Sequence, residues 1–427
     1  MSYKAYAVSW NLTRRCNLFC AHCYLSAAPG ADAAGELSTE ECRRVMADIA
    51  RVNPHVFLIL TGGEPLIRKD IFELAARGRE HGVQGASLSL DSTDPARHDR
   101  FRRLPGAWQG AVRATEALRA EGLDFAIHMS VTDWNVGEIP GMIDLARELG
   151  ARVLNFFFLV RTGRGERLTD ITSAQYEEIL TYLARVQGVG ADGPPGTPSV
   201  FEGAEDPWSV PAGRAGGLLI RAKCAPHFRR ILWQLDPRSP LLANYAHGSC
   251  PAGKYYCRIT PDGDVTPCPY MPVSAGNLRQ TGFAELWERG RVFGDLREPR
   301  LGGRCGACEF QLVCGGCRCR AYATYGDYLA EDPACAYQPG RYGGEVLRLP
   351  AEQTFGLESS PTLAWEPAAR GRLDAIPAFA RGMVVQAVEA YARSRGQATV
   401  TPALMAEVRS RWGMNPERPF TPRAPAG

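Results

Sequence analysis

Alternating apolar and polar positions organise the first 165 residues. Period two places Phe125, Ile127, Met129 and Val131 on one face of a strand over 125–132, and Ala126, His128, Ser130 and Thr132 on the other. The same period separates Leu88 and Leu90 from Ser87, Ser89 and Asp91 over 85–90. Further strands are predicted over 56–60 and 152–160. Between strands the repeat becomes helical: Cys42, Val45, Met46 and Ile49 share a face behind Ser38 and Glu41, which form a capping box. Other helices fall over 71–81, 108–121 and 138–149. This alternation predicts a parallel sheet with crossover helices, the bulky strand faces meeting the helices and the small polar faces lining a lumen. In such barrels functional groups gather at the carboxyl ends of the strands.

The pattern then changes twice. Residues 188–217 are rich in glycine and proline and read as a flexible surface insertion. Residues 371–412 read as a small helical module, with Phe379, Met383, Val384, Ala387, Val388 and Tyr391 on one face. Thr401-Pro402 opens a second helix that carries Leu404, Met405, Val408 and Trp412. A chain of 427 residues is long enough for two or three cores. Its formal charge of +3 is too small to argue for nucleic acid. The longest apolar run, 153–160, is too short for a bilayer, and no signal segment is expected, so a cytoplasmic protein is predicted. Fourteen cysteines in a reducing compartment point to metal ligation rather than disulfides.

Cys16, Cys20 and Cys23 form a CxxxCxxC triplet after the first apolar segment. Thiolates on this spacing suit iron–sulfur or zinc ligation, and a site closed by three ligands leaves a position open for chemistry. The strand over 56–60 runs into Thr61-Gly62-Gly63-Glu64-Pro65, a glycine turn that exposes backbone groups and one carboxylate and could hold an amino group. A basic stretch brings Arg221, Lys223, Cys224, His227, Arg229 and Arg230 together. It is either a solvated turn or a grip for substrate carboxylates through arginine forks, with His227 or Cys224 available as an axial ligand to a porphyrinoid iron. Beyond it lie Cys250, Cys257, Cys268, Cys305, Cys308, Cys314, Cys317, Cys319 and Cys335, with Gly263 in a turn five residues before Cys268. Taken alone, the spacings of Cys305 with Cys308 and of Cys314 with Cys317 fit zinc as well as iron–sulfur.

Together these segments resemble the radical S-adenosylmethionine (SAM) superfamily and its SPASM extension. The resemblance implies an α/β fold, a partial (β/α) barrel that lacks one βα unit between the helix over 71–81 and the next strand, leaving five strands where the family has six. It implies a [4Fe-4S] cluster on Cys16, Cys20 and Cys23 whose open iron takes the amino and carboxylate groups of SAM. Gly62, Gly63, Glu64 and Pro65 would contact the amino group, and Ser89, Asp91 and Ser130 would complete the SAM site, with helix capping as the other role for Asp91. Reduction would cleave SAM to methionine and a 5′-deoxyadenosyl radical that abstracts a substrate hydrogen. Two auxiliary clusters would use Cys250, Cys257, Cys268 and Cys317, and Cys305, Cys308, Cys314 and Cys335, with Cys319 able to replace Cys317. The implied domains are 1–187 (barrel), 188–217 (insertion), 218–338 (SPASM), 339–369 (linker) and 370–427 (helical module), the last similar to the C-terminal module of dark-operative protochlorophyllide reductase. SWNLTRRCN, LILTGGEPL, GRGERLTDIT, IRAKCAPHF and YCRITPDGDVTPCPYMP are similar to the haem-pathway branch. That similarity implies removal of acetate side chains from 12,18-didecarboxysirohaem to give iron-coproporphyrin III, with flavodoxin or ferredoxin as reductant and neither nucleic acid nor membrane as partner. A SPASM-type peptide maturase and a noncatalytic iron–sulfur protein are the alternatives.

Overall fold

The computed structural model describes residues 3–54, 56–79, 85–190, 218–239, 241–242, 250–349, 361–374, 376 and 378–411. Strands and helices alternate from the start: β1 (Ala7–Asn11), α1 (Thr39–Val52), β2 (Phe57–Thr61), α2 (Ile71–Arg79), β3 (Ala86–Ser89), α3 (Pro95–Arg102), α4 (Ala107–Ala120), β4 (Phe125–Val131), α5 (Ile139–Glu148), β5 (Val153–Phe158) and α6 (Ser173–Val186). There follow β6 (Leu219–Lys223), α7 (His227–Leu235), β7 (Tyr256–Ile259), β8 (Asp264–Thr266), β9 (Gly276–Asn277), α8 (Phe283–Arg289), α9 (Arg291–Arg297), α10 (Gly303–Gly306) and α11 (Arg318–Tyr325). A terminal unit comprises β10 (Ala364–Trp365), α12 (Pro367–Asp374), α13 (Ala378–Ser394), β11 (Thr399–Val400) and α14 (Pro402–Arg411).

Outside the terminal unit, whose β10 and β11 form a parallel pair, the described strands form two sheets, parallel except for the antiparallel pairs β7-β8 and β8-β9. One has the order β2-β1-β7-β8-β9 and the other β3-β4-β5-β6. β2 and β3 thus fall in different sheets, and this break coincides with the βα unit that the sequence lacks. Each sheet also takes a strand from the second half of the chain. β6 lies parallel beside β5, with Asn155 opposite Arg221 and Phe157 opposite Lys223. β7 lies parallel beside β1, with Val8 opposite Cys257. The cysteine-rich half is therefore hydrogen-bonded into the sheets of the first half.

Local chemistry explains the elements. Burial along β4 alternates as period two requires, with Phe125, Ile127, Met129 and Val131 buried between the sheet and its helices. Ser38 and Glu41 form the reciprocal cap of α1, whose Cys42, Val45, Met46 and Ile49 are buried. Burial pushes the Cys42 thiol up to about 12, the behaviour of a core residue. The helix α3 has no strong apolar stripe, burying only His98 and Phe101. Local chemistry specifies it instead: Pro95 occupies the first turn and the Asp94 carboxylate accepts the Arg97 N–H at 2.7 Å. Among the described residues no helix is long and apolar enough to cross a membrane. The Gly/Pro-rich segment from 191 to 217, residues 350–360 of the linker and Trp412 lie outside the described residues.

The terminal unit has a core of its own, built from Ala369, Leu373, Val385, Val388, Val400 and Leu404 among others. Buried Glu389 ties it together, accepting hydrogen bonds from the Thr362 N–H (2.8 Å), the Leu363 N–H (3.1 Å) and the Trp365 indole N–H (3.0 Å). Glu389→Ala strands these donors and is expected to cost about 2 kcal/mol. Because the core is separate, hydrogen exchange should accelerate in α13 and leave β3 to β6 unchanged. Uniform acceleration throughout the chain would show that the unit is not independent.

Candidate functional site

The carboxyl ends of β1 and β2 carry the cysteine loop and the glycine turn, and the two pack backbone on backbone. Gly63 N–H donates to Thr13 O at 2.7 Å and Glu64 N–H to Arg15 O at 2.9 Å. A Cβ on Gly63 would lie 2.0 Å from Arg15 O, and one on Gly62, at φ +144°, 2.7 Å from Thr13 O. The glycines are required by this contact as well as by the turn. Pro65 opens a short 3-10 turn capped by the Glu64 carboxylate, which accepts the Leu66 N–H at 2.9 Å. A second loop grips the cysteines from the far side. The 3-10 segment Gly163–Arg167 after β5 donates its Arg164 N–H to Cys23 O (3.1 Å) and the Arg164 Nε to Cys20 O (2.8 Å). Arg164 also lies over the Phe19 ring at 4.1 Å.

Asp91, Ser130 and Ser89 lie nearby in unequal roles. The Asp91 carboxylate is fully buried, accepting the Ser130 N–H at 2.8 Å on one oxygen and the Arg102 guanidinium at 2.6 Å on the other. Arg102 reaches onward to Cys20 Sγ at 3.7 Å, so one arginine joins the carboxylate to the cysteine loop. His98 Nδ1 accepts the Asp91 N–H at 3.1 Å. Burial would raise the Asp91 carboxyl, but Arg102 holds it below its usual value. Ser89 stays partly exposed at the end of β3. Arg102 and Arg164 were missed in the sequence, because nothing local marks the partner of an arginine.

The basic stretch splits where β6 gives way to α7. Arg221 and Lys223 share the lumen parity of Asn155 and Phe157 across the sheet. Burial, then Arg221, bring the Lys223 ammonium down to about 7, and burial with Lys223 beside it brings His128 down to about 4. The others are committed elsewhere. Arg229 donates to Leu242 O, Arg230 pairs with Glu177 and lies over Tyr337, and His227 Nε2 sits 3.2 Å from buried Asp332.

The later cysteines form two groups. Cys305, Cys308, Cys314 and Cys335 line one cavity with Arg230 and His227. Cys305, Cys308 and Cys314 each accept a backbone N–H, from Asp332 (3.4 Å), Phe310 (3.4 Å) and Gly316 (3.5 Å). The second group contains Cys250, Cys268, Cys317 and Cys319, where Cys268 and Cys317 are the neighbours that, with burial, push the Cys319 thiol up. Cys224 lies among them, with Cys317, Cys268 and Cys250 as its electrostatic neighbours. Cys257 does not join them. It is wholly buried in β7, and the charge felt by its thiol is Arg297.

Family models match residues 10–82 (radical SAM superfamily), 250–309 (iron–sulfur cluster-binding SPASM domain) and 365–409 (proto-chlorophyllide reductase 57 kD subunit). The AdoMet-dependent heme synthase of Methanosarcina barkeri is 36% identical over 366 residues, which is 78% of this chain and 97% of that protein. The chain is a radical SAM enzyme. The heme synthases and the pre-heme d1 synthase place it in the haem-pathway branch, and the Fe-coproporphyrin III synthase of Methanosarcina barkeri is 29% identical over 77% of this chain and 87% of that one. Streptococcus suis SuiB, solved bound to S-adenosylmethionine, is 16% identical and covers 78% of each chain at a TM-score of 0.56, a likeness of fold.

This radical SAM enzyme takes [4Fe-4S] clusters and SAM as cofactors, which supply a carbon radical when bound and reduced. The residues fit them. All fourteen cysteines are free thiols. In the cysteine loop, N–H groups aim at sulfur, from Leu18 to Cys16 (3.3 Å) and from Arg102 to Cys20 (3.7 Å), which stabilises thiolates and tunes a cluster. Gly63→Ala should displace the loop from the turn. Iron bound per chain after anaerobic reconstitution is expected to fall by one cluster, about four irons, while the later cysteines keep theirs. Unchanged iron content would show that the loop tolerates separation from the turn.

Proposed function

We propose that this enzyme acts in haem biosynthesis, on the carboxylate-bearing rim of an iron porphyrinoid. The observation that carries the reading is the placement of Arg221 and Lys223 on the lumen parity of β6, opposite Asn155 and Phe157. A cation buried on the lumen face attracts carboxylates more strongly than one in bulk water, and the Arg221 fork fixes their orientation. Cys16, Cys20 and Cys23 hold the SAM-binding cluster, with 62–65 at the amino group of SAM and Ser89 and the Ser130 region around the nucleoside. Asp91 acts through Arg102 as a positioning residue for the cysteine loop. The reaction is removal of acetate side chains from 12,18-didecarboxysirohaem, giving iron-coproporphyrin III. The higher identity to heme synthase than to Fe-coproporphyrin III synthase favours a second reading, in which iron-coproporphyrin III is itself the substrate and haem the product. Flavodoxin or ferredoxin supplies electrons in the cytoplasm, where thiols stay reduced.

Anaerobically reconstituted enzyme, given SAM, reductant and each porphyrinoid in turn, tests this by mass analysis. Loss of acetate units identifies the first reaction, and loss of carboxyl groups with two hydrogens the second. Formation of 5′-deoxyadenosine without any porphyrin product overturns the tetrapyrrole reading. Arg221→Ala removes one charge-assisted contact and should weaken substrate binding about tenfold to a hundredfold at unchanged iron content, read as a rise in KM.

A further inference from the structure

We infer that Cys224 is the fourth thiolate of the first auxiliary cluster, together with Cys250, Cys268 and Cys317, and that Cys257 is a core residue. The inference rests on the iron–sulfur reading of the second half. Cys224 stands at the turn from β6 into α7 with φ +59°, a left-handed conformation that non-glycine residues seldom adopt without a compensating contact. That contact comes from the cysteine-bearing helix: Arg320 of α11 donates to Cys224 O at 2.9 Å. Cys317 is the N-cap of the same helix. Arg318, the first residue of that helix, has its backbone N–H beside the Cys250 thiol, whose other neighbours are Cys317 and Cys268. Cys268 follows the β7-β8 hairpin and, like Cys250 and Cys224, packs against the core that contains Cys317 and Cys319. Four chain segments thus bring one thiol each into one neighbourhood, and Cys319 adjoins Cys268 and Cys317 there.

Cys257 shares parity with Ile259 on β7, and both are wholly buried against the apolar core around Val8, Leu58 and Trp287. Tyr256 and Arg258, on the opposite parity, are the residues of this strand with Cys268 beside them. Strand geometry therefore aims the Cys257 side chain away from the other cysteines.

The test uses the full chain with Cys16, Cys20 and Cys23 replaced by alanine, so that any iron retained is auxiliary. Adding Cys224→Ala should remove about four irons per chain, and adding Cys257→Ala should remove none. Cys224→Asp, which offers oxygen in place of sulfur, should keep iron but shift the electron paramagnetic resonance of one reduced cluster, an effect that a folding defect does not produce. Retained iron with an unshifted spectrum in both Cys224 variants, or loss of one cluster on Cys257→Ala, overturns the assignment. A parent that binds no auxiliary iron at all overturns the iron–sulfur reading of this half and the assignment with it.

Discussion

The ion pair between Arg320 and Asp332 is the interaction on which the second half turns. Both side chains are almost wholly buried and meet at 3.2 Å. Arg320 also donates to Leu159 O beyond β5, to the Tyr176 hydroxyl on α6 and to Cys224 O beyond β6. Asp332 accepts the Cys317 N–H at 2.6 Å, while its own N–H points at Cys305 Sγ. One pair therefore registers the ends of two barrel strands with both later cysteine groups. Burial alone would raise the Asp332 carboxyl, but Arg320 and His227 hold it far below the usual range. Removing either partner of such a pair costs about 3–5 kcal/mol, since the survivor is left charged and unsolvated.

At the carboxyl ends of β1 and β2, backbone contact does the equivalent work. The cysteine loop is held from two sides, by 62–64 through Gly63 and Glu64 and by the segment after β5 through Arg164. Both grips use loop carbonyls and leave the thiols facing other partners. Such packing fixes the spacing of the three sulfurs before any iron arrives, which lowers the ordering entropy of cluster assembly.

Much of this was legible in the chain because the signals were local. Period two in β4, the capping box of α1, the glycine turn and the cysteine spacings each depend on residues a few positions apart. The helix α3 escaped notice because its polar face dominates and only a cap and a proline mark it. The basic stretch is dense in sequence yet divides in space, since β6 and α7 aim side chains differently and the partners of Arg229, Arg230 and His227 come from distant segments. Cys257 shows a signal that was present and unused: its alternation with Ile259 and against Tyr256 and Arg258 already marks the buried face of β7. Cys224 had no such mark, because its neighbours arrive from beyond residue 249.

The pairing of β6 with β5 and of β7 with β1 bears on how such a chain could be divided. A boundary drawn near residue 187 separates two regions of different composition, but it cuts through both sheets. The amino-terminal piece on its own would expose the hydrogen-bonding edges of β1 and β5, and bare edges of this kind recruit other strands and aggregate. Expression, proteolysis or recombination at that point would therefore yield an insoluble fragment rather than a smaller catalyst. The two halves of this enzyme are distinct in sequence and share both of its larger sheets.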